Sequence, residues 1–170
     1  HEISHFSDYQ NNVMKGNVYS DKYVVTQVLS EAKALYTQIK VASEMDKVNG
    51  TENLDLTPYI NVNPIDNEKI KSLWQQYNSN SDHISYTQLI VDFANMFSDG
   101  YTITNVKGQQ VPYPIYYSGG KYNYLNFTLD KNGNINVSFT DTTKKTFTSS
   151  LQSILGDDLL NHIITKTQSD

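Results

Sequence analysis

Cysteine and arginine are both absent from the 170 residues of this chain. Without cysteine there is no disulfide framework, no thiol nucleophile and no thiolate metal site. Without arginine, all 13 basic residues are lysine, against 18 acidic ones, and the net charge is −5. No basic face stands out for gripping phosphates, so nucleic acid is not an expected partner. Long apolar runs are missing too. Proline aside, none exceeds three residues, whereas a membrane-spanning helix takes about 20. No secretory leader is visible. Histidine is scarce, at positions His1, His5, His83 and His162. The first two sit at the terminus beside Glu2, and His83 and His162 have no second ligand at metal spacing on their own elements. Neither a metal nor a cofactor is expected.

Tyrosine and asparagine stand in their place, with 13 and 18 residues, in a chain that is 38% hydrophobic. The length suits one domain with a real core. Such a composition describes a domain that binds or builds rather than reacts. The usual catalytic spacings are missing: no phosphate-loop glycine pattern, no nucleophile elbow and no His-Glu-x-x-His. Gly119-Gly120-Lys121 reads as a tight turn. Asp130-Lys131-Asn132-Gly133-Asn134 lacks the distal glutamate of a calcium loop and reads as a hairpin turn. Asp157-Asp158, just after Gly156 and before an apolar run, reads as a helix N-terminus.

Periodicity supplies the architecture. Apolar residues recur at Val25, Val28, Leu29, Ala32, Leu35, Tyr36, Ile39 and Ala42, the stripe of one long amphipathic helix over 21–48. Ser20 and Asp21 suit its start and Asn49-Gly50 its stop. Residues 51–63 read as a loop. A helical middle over 64–98 holds two shorter helices. One spans 66–77 with Ile70, Leu73, Trp74 and Tyr77 inward, the other 85–97 with Leu89, Ile90, Phe93 and Phe97 inward. Over 101–140 the period falls to two, predicting antiparallel strands, with the clearest hairpin at Asn132-Gly133. Pro112 and Pro114 assign their segment to an edge or a loop. A C-terminal helical block is expected over 142–165, with Phe147, Leu151, Ile154 and Leu155 at helical spacing and a break at Gly156. The class is α+β in a single domain, 1–170.

Five tyrosines, Tyr113, Tyr116, Tyr117, Tyr122 and Tyr124, invite two readings, strand packing or a contact surface. Alternation puts Tyr122 and Tyr124 on the face opposite Leu125 and Phe127, so one tyrosine row is expected outside.

The run Lys22-Tyr23-Val24-Val25-Thr26-Gln27-Val28-Leu29-Ser30-Glu31-Ala32-Lys33-Ala34-Leu35-Tyr36 resembles the second half of the N-terminal helix of a type IV pilin. Residues 135–140, followed by 143–147 and 151–155, are similar to the late strand-to-helix passage of type IVb pilins. The resemblance implies a long helix packed on an antiparallel sheet and a non-enzymatic filament subunit. Val25, Val28, Leu29, Ala32, Leu35, Tyr36 and Ile39 would then serve helix packing and assembly. It also implies other pilin subunits as partners through that helix, with a host surface or secreted protein beyond them. Membrane contact would come only through an apolar segment upstream, with inner-membrane anchoring before assembly and an extracellular or cell-surface location afterwards. Two features depart from the family. Its usual C-terminal disulfide is impossible here, leaving Phe147 to hold that corner by packing. The helical middle is also larger than a simple pilin loop, which suits a minor pilin or pseudopilin.

Two rivals stand beside that reading. One is a free-standing secreted or lipid-anchored binding domain, an adhesin or inhibitor, whose long helix belongs to its own core. The other is an enzyme using isolated carboxylates, which needs two acids converging in a pocket.

Overall fold

The structure, a computed structural model, describes residues 18–50 and 64–166. The terminal histidines and the predicted loop over 51–63 lie outside those residues. Helix α1, Asp21–Val48, has 28 residues and so runs about 42 Å. Its start is a complete cap. Ser20 is extended (φ −66°, ψ 161°) and its hydroxyl accepts the Tyr23 N–H at 3.1 Å, which satisfies one of the donors a helix N-terminus leaves open. Tyr19, one residue earlier, is left-handed at φ 72°, so the chain turns sharply into the helix. At the far end the Asn49 N–H donates to the Met45 and Lys47 carbonyls, and Lys47 lies in the last turn, where a cation suits the dipole.

Helix α2, Pro64–Asn78, buries Ile70, Trp74 and Tyr77. Helix α3, Tyr86–Ser98, is capped by the Ser85 hydroxyl on the Gln88 N–H and buries Leu89, Ile90, Phe93 and Phe97, as the spacing predicts. Two short antiparallel strands follow, β1 (Thr102–Thr104) and β2 (Gln110–Pro112), with Ile103 opposite Val111. The second sheet has the order β3-β4-β5: Tyr122–Leu129, Ile135–Asp141 and Thr146–Ser150, all antiparallel. The β3–β4 turn is the predicted hairpin. Gly133 adopts φ 83°, and Asp130 Oδ1 accepts the N–H groups of Asn132 and Asn134 at 2.9 Å each.

Four expectations need correction. Residues 113–118 form a helix, α4 (Tyr113–Ser118), with Pro114 in its first turn, where the missing N–H costs nothing, and Gly119 closing it left-handed at φ 65°. The expected helical block over 142–165 begins later. Residues 146–150 are strand β5, and helix starts only at α5 (Leu151–Leu155), capped by Ser150, before Gly156 and α6 (Asp157–Ile164). Phe147 therefore sits on an edge strand opposite Phe139, 53% exposed, and holds no corner. Lastly, a bulge between Tyr122 and Tyr124 breaks the alternation. It turns Tyr122 inward against Phe139, at 4.7 Å between ring centroids, leaving the ring 4% exposed.

The core is layered around α1. That helix packs chiefly on α3 and α4, and α3 in turn lies on β3, so the predicted stripe reaches the sheet layer by way of α3. Short α5 and α6 close the remaining side. As a result every residue from Val24 to Tyr36 is buried, including Thr26, Gln27, Ser30, Glu31 and Lys33. Buried Lys33 donates from Nζ to the His162 carbonyl at 3.1 Å, at the C-terminal end of α6 where backbone acceptors are unpaired. Asp21, in the first turn of α1, accepts from the Tyr122 hydroxyl at 2.5 Å and from Lys121 Nζ at 3.3 Å, tying the helix start to β3. Asn95 of α3 closes the outer edge of β3, taking the Phe127 N–H at 2.7 Å and giving its amide N–H to the Phe127 carbonyl at 2.8 Å.

Candidate functional site

The residues picked out for helix assembly, Val25, Val28, Leu29, Ala32, Leu35, Tyr36 and Ile39, are all buried within this chain's own core. The five tyrosines do not share an exposed face. Tyr122 and Tyr117 are buried, Tyr113 and Tyr124 half-buried, and Tyr116 is 40% exposed. Tyr113, Tyr116 and Tyr117 instead make one side of an aromatic cluster on α4. Tyr117 meets Tyr113 at 5.7 Å, Tyr116 at 5.3 Å and, edge to face, Tyr23 of α1 at 6.1 Å. The Tyr117 hydroxyl donates to Glu31 Oε1 at 3.4 Å. Its phenol is held well above the ordinary tyrosine value, first by burial and then by the Glu31 charge. Burial and Asp66 raise Tyr101 in the same way. Tyr19 covers Gly119 so closely that a Cβ there would stand 3.0 Å from the ring.

The structure offers a different site, a cleft of about 540 Å³ between the C-terminal halves of α1 and α2. On α1, Tyr36, Lys40, Ser43, Glu44 and Lys47 fall within one stripe because they recur at helical spacing. The last turns of α2 contribute Trp74, Gln75, Tyr77 and Asn78, and Lys166 arrives from beyond α6. The floor is aromatic. Tyr36 meets Trp74 at 5.7 Å and Tyr77 at 6.0 Å, and Trp74 meets Tyr77 at 5.6 Å. Tyr86 closes on Tyr36 from below at 5.0 Å, and His83 stacks on Tyr77. The rim is polar. Lys166 Nζ donates to the Tyr77 hydroxyl at 2.8 Å and lies 5.4 Å from that ring's centroid. Asn78 donates to the Trp74 carbonyl, which sets its side chain at the mouth.

Periodicity identifies Trp74 and Tyr77 as inward-facing, and so they are. What it misses is that α2 stands off from α1 here and leaves a cleft above their rings. The visible signal was the repeat of Lys40, Ser43, Glu44 and Lys47 beside Tyr36. A second hollow, about 420 Å³, lies between the β3–β4 turn and α6. Its acids are already engaged, Asp130 with backbone N–H groups and Asp157 with the Gln152 amide at 2.7 Å. Among the described residues no three histidine, aspartate or glutamate side chains gather as metal ligands. Among them, too, no helix is long and apolar enough to cross a membrane. The comparisons agree in one respect: no family model matches the chain, nor does any curated protein or solved structure.

Proposed function

We propose that this chain is a free-standing, non-catalytic binding domain of the adhesin or inhibitor kind, secreted or lipid-anchored, whose long helix is its own core. One observation carries the reading, the start of α1. The Ser20 cap and left-handed Tyr19 end the helix there. A filament subunit would need the same helix to run on upstream into the filament core. All-round burial from Val24 to Tyr36 points the same way, because that length of helix keeps no free face for a neighbour. The filament reading draws its own support from the other end of α1, where Val41, Met45 and Val48 are 50%, 45% and 87% exposed.

Backbone chemical shifts of the native mature protein across 17–22, together with its N-terminal sequence, test the proposal. The expected result is helical shifts that begin at Asp21. An unbroken helix running through Ser20 from an apolar segment of about 20 residues would overturn it in favour of a filament subunit.

A further inference from the structure

We infer that β5 is a docking edge for the same strand of a second copy, the two strands pairing antiparallel about a twofold axis at Thr148. The inference goes beyond the binding-domain reading. Such a contact closes on itself, because each copy occupies the other's β5 and no filament can grow from it. The argument starts from the two outer edges of the β3-β4-β5 sheet. Asn95 closes the β3 edge at Phe127. Among the described residues β5 pairs with β4 alone. Proteins usually blunt an edge of this kind with a charge, a proline or a bulge. Thr146–Ser150 carries neither charge nor proline and pairs with β4 without a break in register; Lys144 and Lys145 stop short of it.

Hydrogen-bond alternation decides which groups face outward. The Asp141 N–H donates to the Lys145 carbonyl at 2.9 Å, so the bonded pairs further along are Phe139 with Phe147 and Val137 with Ser149. The N–H groups of Thr146, Thr148 and Ser150 therefore point away from β4, as do the Thr146 and Thr148 carbonyls. The Ser150 carbonyl is taken by the Ser153 hydroxyl at 2.8 Å. What completes such a row is the backbone of another extended strand, and β5 itself fits. With Thr148 on the axis, the two Thr148 residues exchange a pair of hydrogen bonds, and each Ser150 N–H reaches the other copy's Thr146 carbonyl. The side chains suit that register. Phe147, 53% exposed, shares a face with Phe139 and comes opposite Ser149 of the other copy, so each ring has a small residue to cover. On the other face threonine and serine hydroxyls meet one another. Charge selects the direction. Antiparallel pairing carries Lys144 and Lys145 towards the end of the other β5 that leads on to Asp157 and Asp158, whereas parallel pairing sets lysines beside lysines. Five residues span about 17 Å, so the interface is small and its Kd roughly 10 μM to 1 mM.

Sedimentation velocity of the intact chain, from about 10 μM to about 1 mM, should show a monomer–dimer equilibrium. Thr148→Lys and Thr148→Glu each set like charges face to face on the axis and should weaken the dimer about tenfold or more. Near-ultraviolet circular dichroism should stay native in both, because Thr148 is exposed. Mixed in equal amounts, the two variants should form a heterodimer within about threefold of the native affinity. Only a twofold contact centred on Thr148 gives that rescue. Amide exchange at Thr148 needs no variant and should slow as the chain is concentrated. A native chain that stays monomeric, dimers that survive both charges, or no rescue on mixing would overturn the inference. A Thr148 amide protected equally at every concentration would overturn it as well, by showing that another segment of this chain holds the edge.

Discussion

Asn95 does the work of a neighbouring strand. Its amide gives one hydrogen bond to the Phe127 carbonyl and receives one from the Phe127 N–H, so the outer edge of β3 keeps no unpaired backbone group at that position. Asn95→Ala should therefore lower stability by about 2 kcal/mol, the cost of two buried backbone groups losing their partner. Urea unfolding checks this, and a change below about 0.5 kcal/mol would show the edge to be water-satisfied. Tyr117 makes a pH prediction. Its folded-state ionisation is pushed up by burial and by Glu31, whereas the unfolded chain releases phenol protons near pH 10. Below that pH both states hold the proton and the group is neutral to stability. Above it the unfolded state ionises first, so stability falls as pH rises. Tyr117→Phe should flatten this alkaline decline in denaturant titrations between pH 8 and 11, and an unchanged slope would contradict it. Little of this was legible in the sequence. Asn95 is one of 18 asparagines, and only the fold brings Phe127 to it across 32 positions.

At the scale of elements, the regular signals carried furthest. The α1 stripe, the inward faces of α2 and α3, and the Asn132-Gly133 hairpin lie where periodicity and turn chemistry put them. The misses share one cause, short segments whose residues satisfy two patterns. Phe147, Leu151, Ile154 and Leu155 do recur at helical spacing, but the run Thr146-Phe147-Thr148 is also β-branched and aromatic, and pairing with β4 decides for strand. Hydroxyls fasten that choice, with Ser138 and Thr148 2.8 Å apart on the outer face. Because Phe147 is exposed on β5, Phe147→Thr should change stability by less than about 0.5 kcal/mol. A loss of several kcal/mol in thermal unfolding would restore it to the role of a packed corner. Similarly, Pro112 and Pro114 exclude a central strand, yet the second is equally suited to the first turn of α4. Helix α6 has eight residues and depends on others for its end. Lys33→Ala removes the donor to the His162 carbonyl and should speed amide exchange across Asp157–Ile164 about tenfold or more, while β3 and β4 change little. Uniform acceleration would mean that Lys33 matters to the whole core instead.

For the whole molecule, the deciding fact is that α1 is central. An amphipathic stripe predicts one buried face, and Glu31 and Lys33 do not belong to that stripe. Enclosure became visible only once α4 and α6 were placed around them, a matter of topology that no local pattern records. The same arrangement explains how a chain with so few strong apolar runs keeps a continuous core. Leu29, Tyr36 and Ile39 of α1 share one core cluster with residues from the middle and the C-terminal part of the sequence, among them Phe93, Leu151 and Ile163. A protein ending at residue 150 lacks Leu151, Leu155 and Ile163 and should not fold, giving no near-ultraviolet circular dichroism. A native-like signal from that fragment would show α5 and α6 to be accessories.

Central placement also sets the order of events during synthesis. Helix α1 leaves the ribosome before every other described element, yet its enclosure waits for the last. The Lys33–His162 contact spans 129 positions, so α1 must be kept from straying partners until the C-terminal helices emerge. Contacts of such separation slow folding towards the millisecond-to-second range. The nascent chain therefore carries a long helix whose enclosure stays unfinished until residues 151–164 have emerged, and that interval is when it has most need of a chaperone.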